Sequence, residues 1–263
     1  MGAAPDTLAA LRRSLVDLER GFRPGASDPF PLGLAEIDEP LGGGLARGAL
    51  HELHAAAMDD AGAVVGFAAV LGLKAAAGRM MVWARQDGLE ATAGQIYPPG
   101  LAELGLDPDR LLLVRARDAA GVLRAGAEAL RCGALGAVLI ELWGEARVLD
   151  LTASRRLSLA AARSGVTALL LRVAAAPAPS AAMTRWAVRA LASVPLEANA
   201  PGLPAFAITL LRHRAGVPGQ EWHVEWDRDR RRFRLPAPLS RPVAAVPAER
   251  AGTVVPWPLR RAG

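Results

Sequence analysis

Short, almost uninterrupted apolar runs alternate with helix-periodic stretches through the middle of this chain, and no other feature constrains the fold as much. The runs lie at 49–54, 80–84, 111–114, 137–142 and 167–173, and the helical stretches between them at 63–77, 119–132 and 152–163. A strand that is apolar at nearly every position must be covered on both faces. Strands separated by helices form parallel βα units. The expectation is an α/β fold with a mostly parallel central sheet flanked by helices. After about residue 192 the pattern changes, and runs at 193–198, 205–212, 221–226 and 232–235 read as a β-meander that completes the sheet.

The two ends have a different character. Leu8, Leu11, Leu15 and Leu18 recur at helical spacing, so 6–20 reads as an amphipathic N-terminal helix, followed by a Pro/Gly-rich linker at 21–31. The leucine stripe of Leu11, Leu15 and Leu18 is a candidate partner-binding or self-association surface. From 236 onward the chain is rich in Pro, Ala and Arg without periodicity, which is the composition of a mostly disordered tail. Within it, Trp257 lies in a short apolar segment suited to anchoring on a partner. The expected organisation is an N-terminal helix and linker over 1–28, a core over 29–235 and a tail over 236–263.

Composition removes several classes. Apolar residues make up 52% of the 263, but much of this is alanine, and aromatic residues are only 5%. The alanine runs are broken by Arg, Asp or Gly, so no membrane-spanning stretch of about 18 residues is expected. A lone cysteine, Cys132, cannot build a disulfide framework or a zinc site, and a cytosolic location follows as the expectation. Net charge is +5, and of 31 basic residues only Lys74 is a lysine. A GC-rich genome favours Arg and Ala codons together and accounts for much of that bias. The basic residues Arg212, Arg214, Arg230, Arg231 and Arg232 form a sequence cluster that is a candidate DNA-contacting surface, and the pairs Arg155/Arg156 and Arg185/Arg189 are further candidates.

The most specific local signal is the stretch from Leu34 to Gly48, with Ile37-Asp38-Glu39-Pro40-Leu41-Gly42-Gly43-Gly44-Leu45 running into the first strand. In that position it resembles the RecA-like recombinase family. The resemblance implies a phosphate-binding loop after the first strand, and here the sequence departs from it. A working loop needs glycines, a lysine for the β/γ-phosphates and a Ser or Thr for magnesium. The window reads Ala55-Ala56-Ala57-Met58-Asp59-Asp60-Ala61-Gly62, with two carboxylates where phosphates would lie. Lys74 falls near the far end of the following helix. Gln86 stands where the family keeps a carboxylate to activate water. Glu141 stands at the Walker-B-like position, and hydrogen bonding to its neighbours accounts for it at least as well as a metal role. ATP hydrolysis is not expected, nor is any cofactor or metal. His51 and His54 sit three apart in a strand, so they point to opposite faces and cannot form the helical zinc motif.

Further motifs narrow the resemblance. Arg85-Gln86, Tyr97-Pro98-Pro99-Gly100-Leu101, the run from Leu111 to Arg117, Glu141-Leu142-Trp143-Gly144 and Pro179-Ser180-Ala181-Ala182 follow in order the pattern of ImuA proteins. The resemblance covers roughly residues 5–235. It implies a RecA-like core and a non-catalytic accessory role in bacterial damage-induced mutagenesis and translesion synthesis. The implied partners are an ImuB-type polymerase relative and an error-prone replicative-type polymerase, with RecA and DNA as further candidates. Because ImuA relatives are also likened to SulA, an inhibitor of the tubulin-like division GTPase is the alternative. A divergent ATPase or recombinase paralogue is the third reading.

Overall fold

The computed structural model describes residues 28–236, apart from Ala56, Glu90, Ala91, Ala93, Pro201, Ala215 and Val217. Leu11, Leu15, Leu18 and Trp257 therefore lie outside the described residues, as does Ala56 of the loop window.

Nine strands form one sheet: β1 (Leu50–Ala55), β2 (Met80–Gln86), β3 (Leu111–Ala116), β4 (Leu135–Trp143), β5 (Thr167–Val173), β6 (Thr184–Ala190), β7 (Ala205–His213), β8 (Glu221–Asp227) and β9 (Arg232–Arg234). Their order is β3-β2-β4-β5-β1-β6-β7-β8-β9. The first six are parallel, and β7, β8 and β9 add on as an antiparallel meander. Among the described residues five helices accompany them: α1 (Ala35–Asp38), α2 (Ala61–Ala76), α3 (Pro98–Glu103), α4 (Ala119–Ala129) and α5 (Leu151–Ser164).

Two cores flank the sheet. On one face α2 packs Val64, Phe67, Val70 and Leu71 onto Leu53, Leu139 and Leu171. On the other, α4 and α5 cover Leu50, Val138, Ile140 and Leu170. The meander curls back over α2, bringing Phe206 and Phe233 to 5.6 and 5.5 Å from the Phe67 ring. That double cover explains why α2 is apolar nearly all round: it lies between two layers, not at a surface.

The sequence reading misplaced one strand. The sixth strand is Thr184–Ala190, and 193–198 lies in a connection that ends in a single turn of 3-10 helix at Glu197–Asn199. Pro195 lacks the N–H that a ladder needs. The real strand buries Thr184, Trp186 and Val188 alternately, and the arginines at 185 and 189 on its other face disguise that period in the sequence. Both tryptophans of β8 serve packing: Trp226 is fully buried, and the half-buried Trp222 packs against Trp186 at 6.0 Å.

The Leu34–Gly48 stretch is a tightly folded entry to β1. The Asp38 carboxylate accepts from the backbone N–H groups of Leu32, Gly33 and Leu34 at 2.7, 2.8 and 3.2 Å. Gly44, at φ +124°, lets the chain press against Phe30, whose carbonyl oxygen would stand 2.4 Å from any Cβ there.

His51 then locks β1 to β6. Its Nε2 donates to the Ala46 carbonyl and its Nδ1 accepts from the Thr184 hydroxyl, each at 2.8 Å, while Thr184 Oγ1 accepts from Trp186 Nε1. Burial pushes the His51 imidazole down to about 4, against the upward pull of the Ala46 bond. Below pH 6.5 the unfolded chain takes up a proton that folded His51 refuses until about pH 4, so stability falls with acidification through that window. The loss attributable to this group is at most about 3 kcal/mol. Urea midpoints measured between pH 7 and 4.5 should fall for the native chain and fall measurably less for His51→Gln.

Candidate functional site

In open α/β sheets ligands sit at the carboxyl ends of the parallel strands. Here that edge is formed by the ends of β1, β2 and β4 and by the start of α2; one buried polar cluster lies there, and a second lies between the middle of β1 and the start of β6.

The first is centred on Glu141 near the end of β4, which is 1% exposed. Its carboxylate accepts from Trp143 Nε1 at 2.7 Å and Trp83 Nε1 at 2.8 Å, with Arg85 Nη2 at 3.4 Å. Both oxygens are occupied by side chains of β2 and β4. Gln86 is drawn into the same structure, with its Oε1 accepting from the Trp143 backbone N–H at 3.4 Å. The cavity beside this cluster, bounded by Gly62, Arg85, Tyr97 and Trp143, measures about 160 Å³. Small-molecule sites commonly span about 300–1,000 Å³.

The loop window leads from β1 into one turn of 3-10 helix at Met58–Asp60 and directly into α2. Asp60 Oδ1 accepts from the Ala190 backbone N–H at 2.8 Å, tying the loop to the end of β6. Gly62 lies inside α2 with nothing within 4 Å of the position a Cβ would take. Lys74, 13 residues along α2 from Ala61 and so about 20 Å away, stands 5.9 Å from the Trp226 ring centroid. Burial lowers its ammonium from the usual value, and Asp38 partly offsets this.

The second cluster was not read from the sequence. Glu52, in the middle of β1 and fully buried, accepts from Ser180 Oγ at 2.7 Å and from Arg185 Nε at 2.8 Å, with His54 Nε2 at 3.9 Å. Burial alone would push this carboxyl up, but His54, Ser180 and Arg185 outweigh it and hold it at about 2. The signal that could have revealed it is a glutamate inside an otherwise apolar strand, since a buried carboxylate requires partners. His51 and His54 do point to opposite faces, each into a different network.

The arginines that form one cluster in the sequence are separated in the fold. Arg212 and Arg214 sit at the end of β7 and donate to the Ser180 and Ala181 carbonyls at 2.8 and 3.2 Å. Arg230, Arg231 and Arg232 belong to the β8–β9 turn beside the start of β7, about 25 Å away along the strand. Arg230 is paired with Asp227 at 3.0 Å. Arg185 is committed to Glu52 and Arg189 to Glu221, whereas Arg155 and Arg156 are exposed on α5.

Comparison with known proteins places this architecture. No family model matches the chain. Over 193 residues it is 33% identical to Protein ImuA of Caulobacter vibrioides, strain NA1000 / CB15N, an alignment covering 68% of this chain and 75% of that one. The Protein ImuA of strain ATCC 19089 / CIP 103742 / CB 15 gives the same figures. The chain belongs to the ImuA family. Among solved structures it is similar to the RadB recombinase, with a TM-score of 0.53 over 79% of this chain and all of that one, at 14% identity. That likeness concerns the fold, which is RecA-like. The ImuA-type motifs Arg85-Gln86 and Glu141-Leu142-Trp143 meet in the first buried cluster, and Ser180 of a third motif supports the second. Among the described residues no helix is long and apolar enough to cross a membrane.

Two substitutions separate architecture from chemistry here. Glu141→Gln removes the charge opposite Arg85 and turns an amide N–H toward an indole N–H, so it should cost about 3 kcal/mol of stability in urea unfolding. An unchanged midpoint with lost function would assign Glu141 a chemical role instead. Gly62→Ala should stabilise the chain by about 0.5–1 kcal/mol, because a helical position open to solvent gains from a methyl group. A large loss on this substitution would mean that a ligand approaches the backbone there.

Proposed function

We propose that this ImuA-family chain is a non-catalytic RecA-like accessory protein of error-prone translesion synthesis, serving damage-induced mutagenesis as an adaptor. In this reading it joins an ImuB-type polymerase relative to an error-prone replicative-type polymerase, and RecA and DNA are further contacts. The observation that carries the non-catalytic part is the Glu141 cluster. Where a RecA-like motor would hold metal and nucleotide, this chain places a carboxylate saturated by two indoles and a guanidinium beside a cavity of only about 160 Å³. The loop before α2 supplies Asp59 and Asp60 in place of lysine and serine or threonine, so its charge repels phosphate. Family membership supports the mutagenesis role.

On this reading function resides in surfaces and in the terminal segments 1–28 and 236–263. Isothermal titration with ATP and magnesium should give no saturable heat, and saturable binding would replace the adaptor reading with a nucleotide-gated one. Removing 1–20 or 237–263 should leave a folded core that retains less of the ImuB-type partner in pull-down. Full retention by both truncations would remove those segments from the interface. If the arginine surfaces contact DNA, log affinity should fall with log salt at about −0.9 per phosphate contact. A flat response would exclude DNA as a partner.

A further inference from the structure

A cleft of about 530 Å³ opens at the opposite, amino edge of β2, between the C-terminal end of α2, the segment following α3 and the β8–β9 turn. Its floor is apolar, with Leu73, Met81 and Leu106, and its rim carries Arg79, Arg110 and Arg231 against one carboxylate, Asp107. Only Arg110 is paired with Asp107, Nε to Oδ2 at 3.4 Å. Among the described residues Arg79 reaches no carboxylate, and it donates to the Gly133 carbonyl at 3.4 Å. Arg231 has neither a hydrogen bond nor an ion pair among the described residues. The excess positive charge is felt nearby, since Arg47, lowered first by burial, is lowered further by Arg79.

Arg231 is also held in an unfavourable backbone conformation. It occupies the left-handed region at φ +49°, where a turn of this kind normally carries glycine or asparagine. Its side chain lies over Gly105, itself at φ +95°, where an added Cβ would come within 3.1 Å of Arg231 Nε. The fold thus keeps a strained arginine over a bare glycine, at a position where glycine would be more stable, and directs an uncompensated guanidinium into a cleft.

We propose that this cleft docks a short acidic segment of a partner protein, seating an apolar side chain on the floor and carboxylates on the arginine rim. Guanidinium groups match carboxylates as two-pronged donors, and the volume suits one or two side chains. Among the described residues no aromatic ring lines the cleft to stack a base, and a concave apolar floor does not follow a phosphate backbone. The chain's own terminal segments do not supply the charge. Residues 1–27 carry four arginines against Asp6, Asp17 and Glu19, and 237–263 carry four against Glu249. Both segments are net basic as a whole, which favours another chain as the occupant. The inference rests on the adaptor reading only in taking that occupant to be a protein.

The test is selection of random peptides displayed on phage against the full chain, followed by titration of the most enriched peptide, labelled with fluorescein. Enriched peptides should combine Asp or Glu with Leu, Met or Phe. Arg231→Gly should weaken the labelled peptide about tenfold while raising Tm by a few degrees, because it relieves the left-handed backbone. Weakened binding by a more stable variant cannot be ascribed to misfolding. Arg79→Gln combined with Arg231→Gly should abolish binding. Enrichment of peptides without acidic residues, no enrichment, or binding that survives the double variant would overturn the proposal. Equal loss of affinity for labelled single-stranded DNA in that variant would overturn it too, in favour of a nucleic-acid surface. The selection uses neither polymerase, so its failure leaves the adaptor reading to the pull-down, and a failed pull-down leaves the cleft to the peptide.

Discussion

Glu141 joins β2 to β4 through two indole N–H groups and a guanidinium, and much of the carboxyl edge follows from that arrangement. Trp83 and Trp143 are positioned by it, Arg85 is neutralised by it, and Gln86 closes onto the backbone beside it. A carboxylate removed from water is tolerated only when its oxygens are fully engaged. Once they are engaged, their lone pairs are directed at Trp83, Trp143 and Arg85. The same side chain therefore ties β2 to β4 at the carboxyl edge of the sheet.

Glu52, on β1 with β5 between it and β4, is held through one oxygen, its Oε2 accepting from Ser180 and Arg185 in place of the tryptophans. The two carboxylates lie on different strands and bind different neighbours, yet both convert a charged group into a cross-strand fastener. Asp60 and Asp38 extend this economy to the backbone, accepting from the N–H of Ala190 and from three N–H groups ahead of α1. Polar residues that resemble remnants of a catalytic apparatus in sequence serve here to hold loops and strand ends. The exposed chemistry lies elsewhere, in arginines such as Arg79 and Arg231 that have no carboxylate partner among the described residues.

The parallel strands and the three long helices were legible because apolar periodicity reports burial, and burial on both faces leaves a continuous run such as Leu169-Leu170-Leu171. β6 was not legible, because Arg185 and Arg189 interrupt its apolar period. Their charge is accommodated by Glu52 and by Glu221, two partners far away in sequence. The absence of lysine, serine and threonine from the loop after β1 could be read directly, since a residue that is missing needs no geometry to be missed.

What the sequence determined by itself was the order of the elements other than β6, the two-sided cover of the sheet and the family. These depend on local composition and on motifs in series. Only the tertiary structure decided what the charged residues do. It dispersed Arg212, Arg214 and Arg230 to Arg232 to opposite ends of β7, gathered Arg85, Glu141 and Trp143 into one cluster, and brought Arg79, Arg110 and Arg231 together around a cleft. Ion pairs and clefts form between residues that are distant along the chain, so the curl of the meander over α2, and not any local pattern, sets which of them meet.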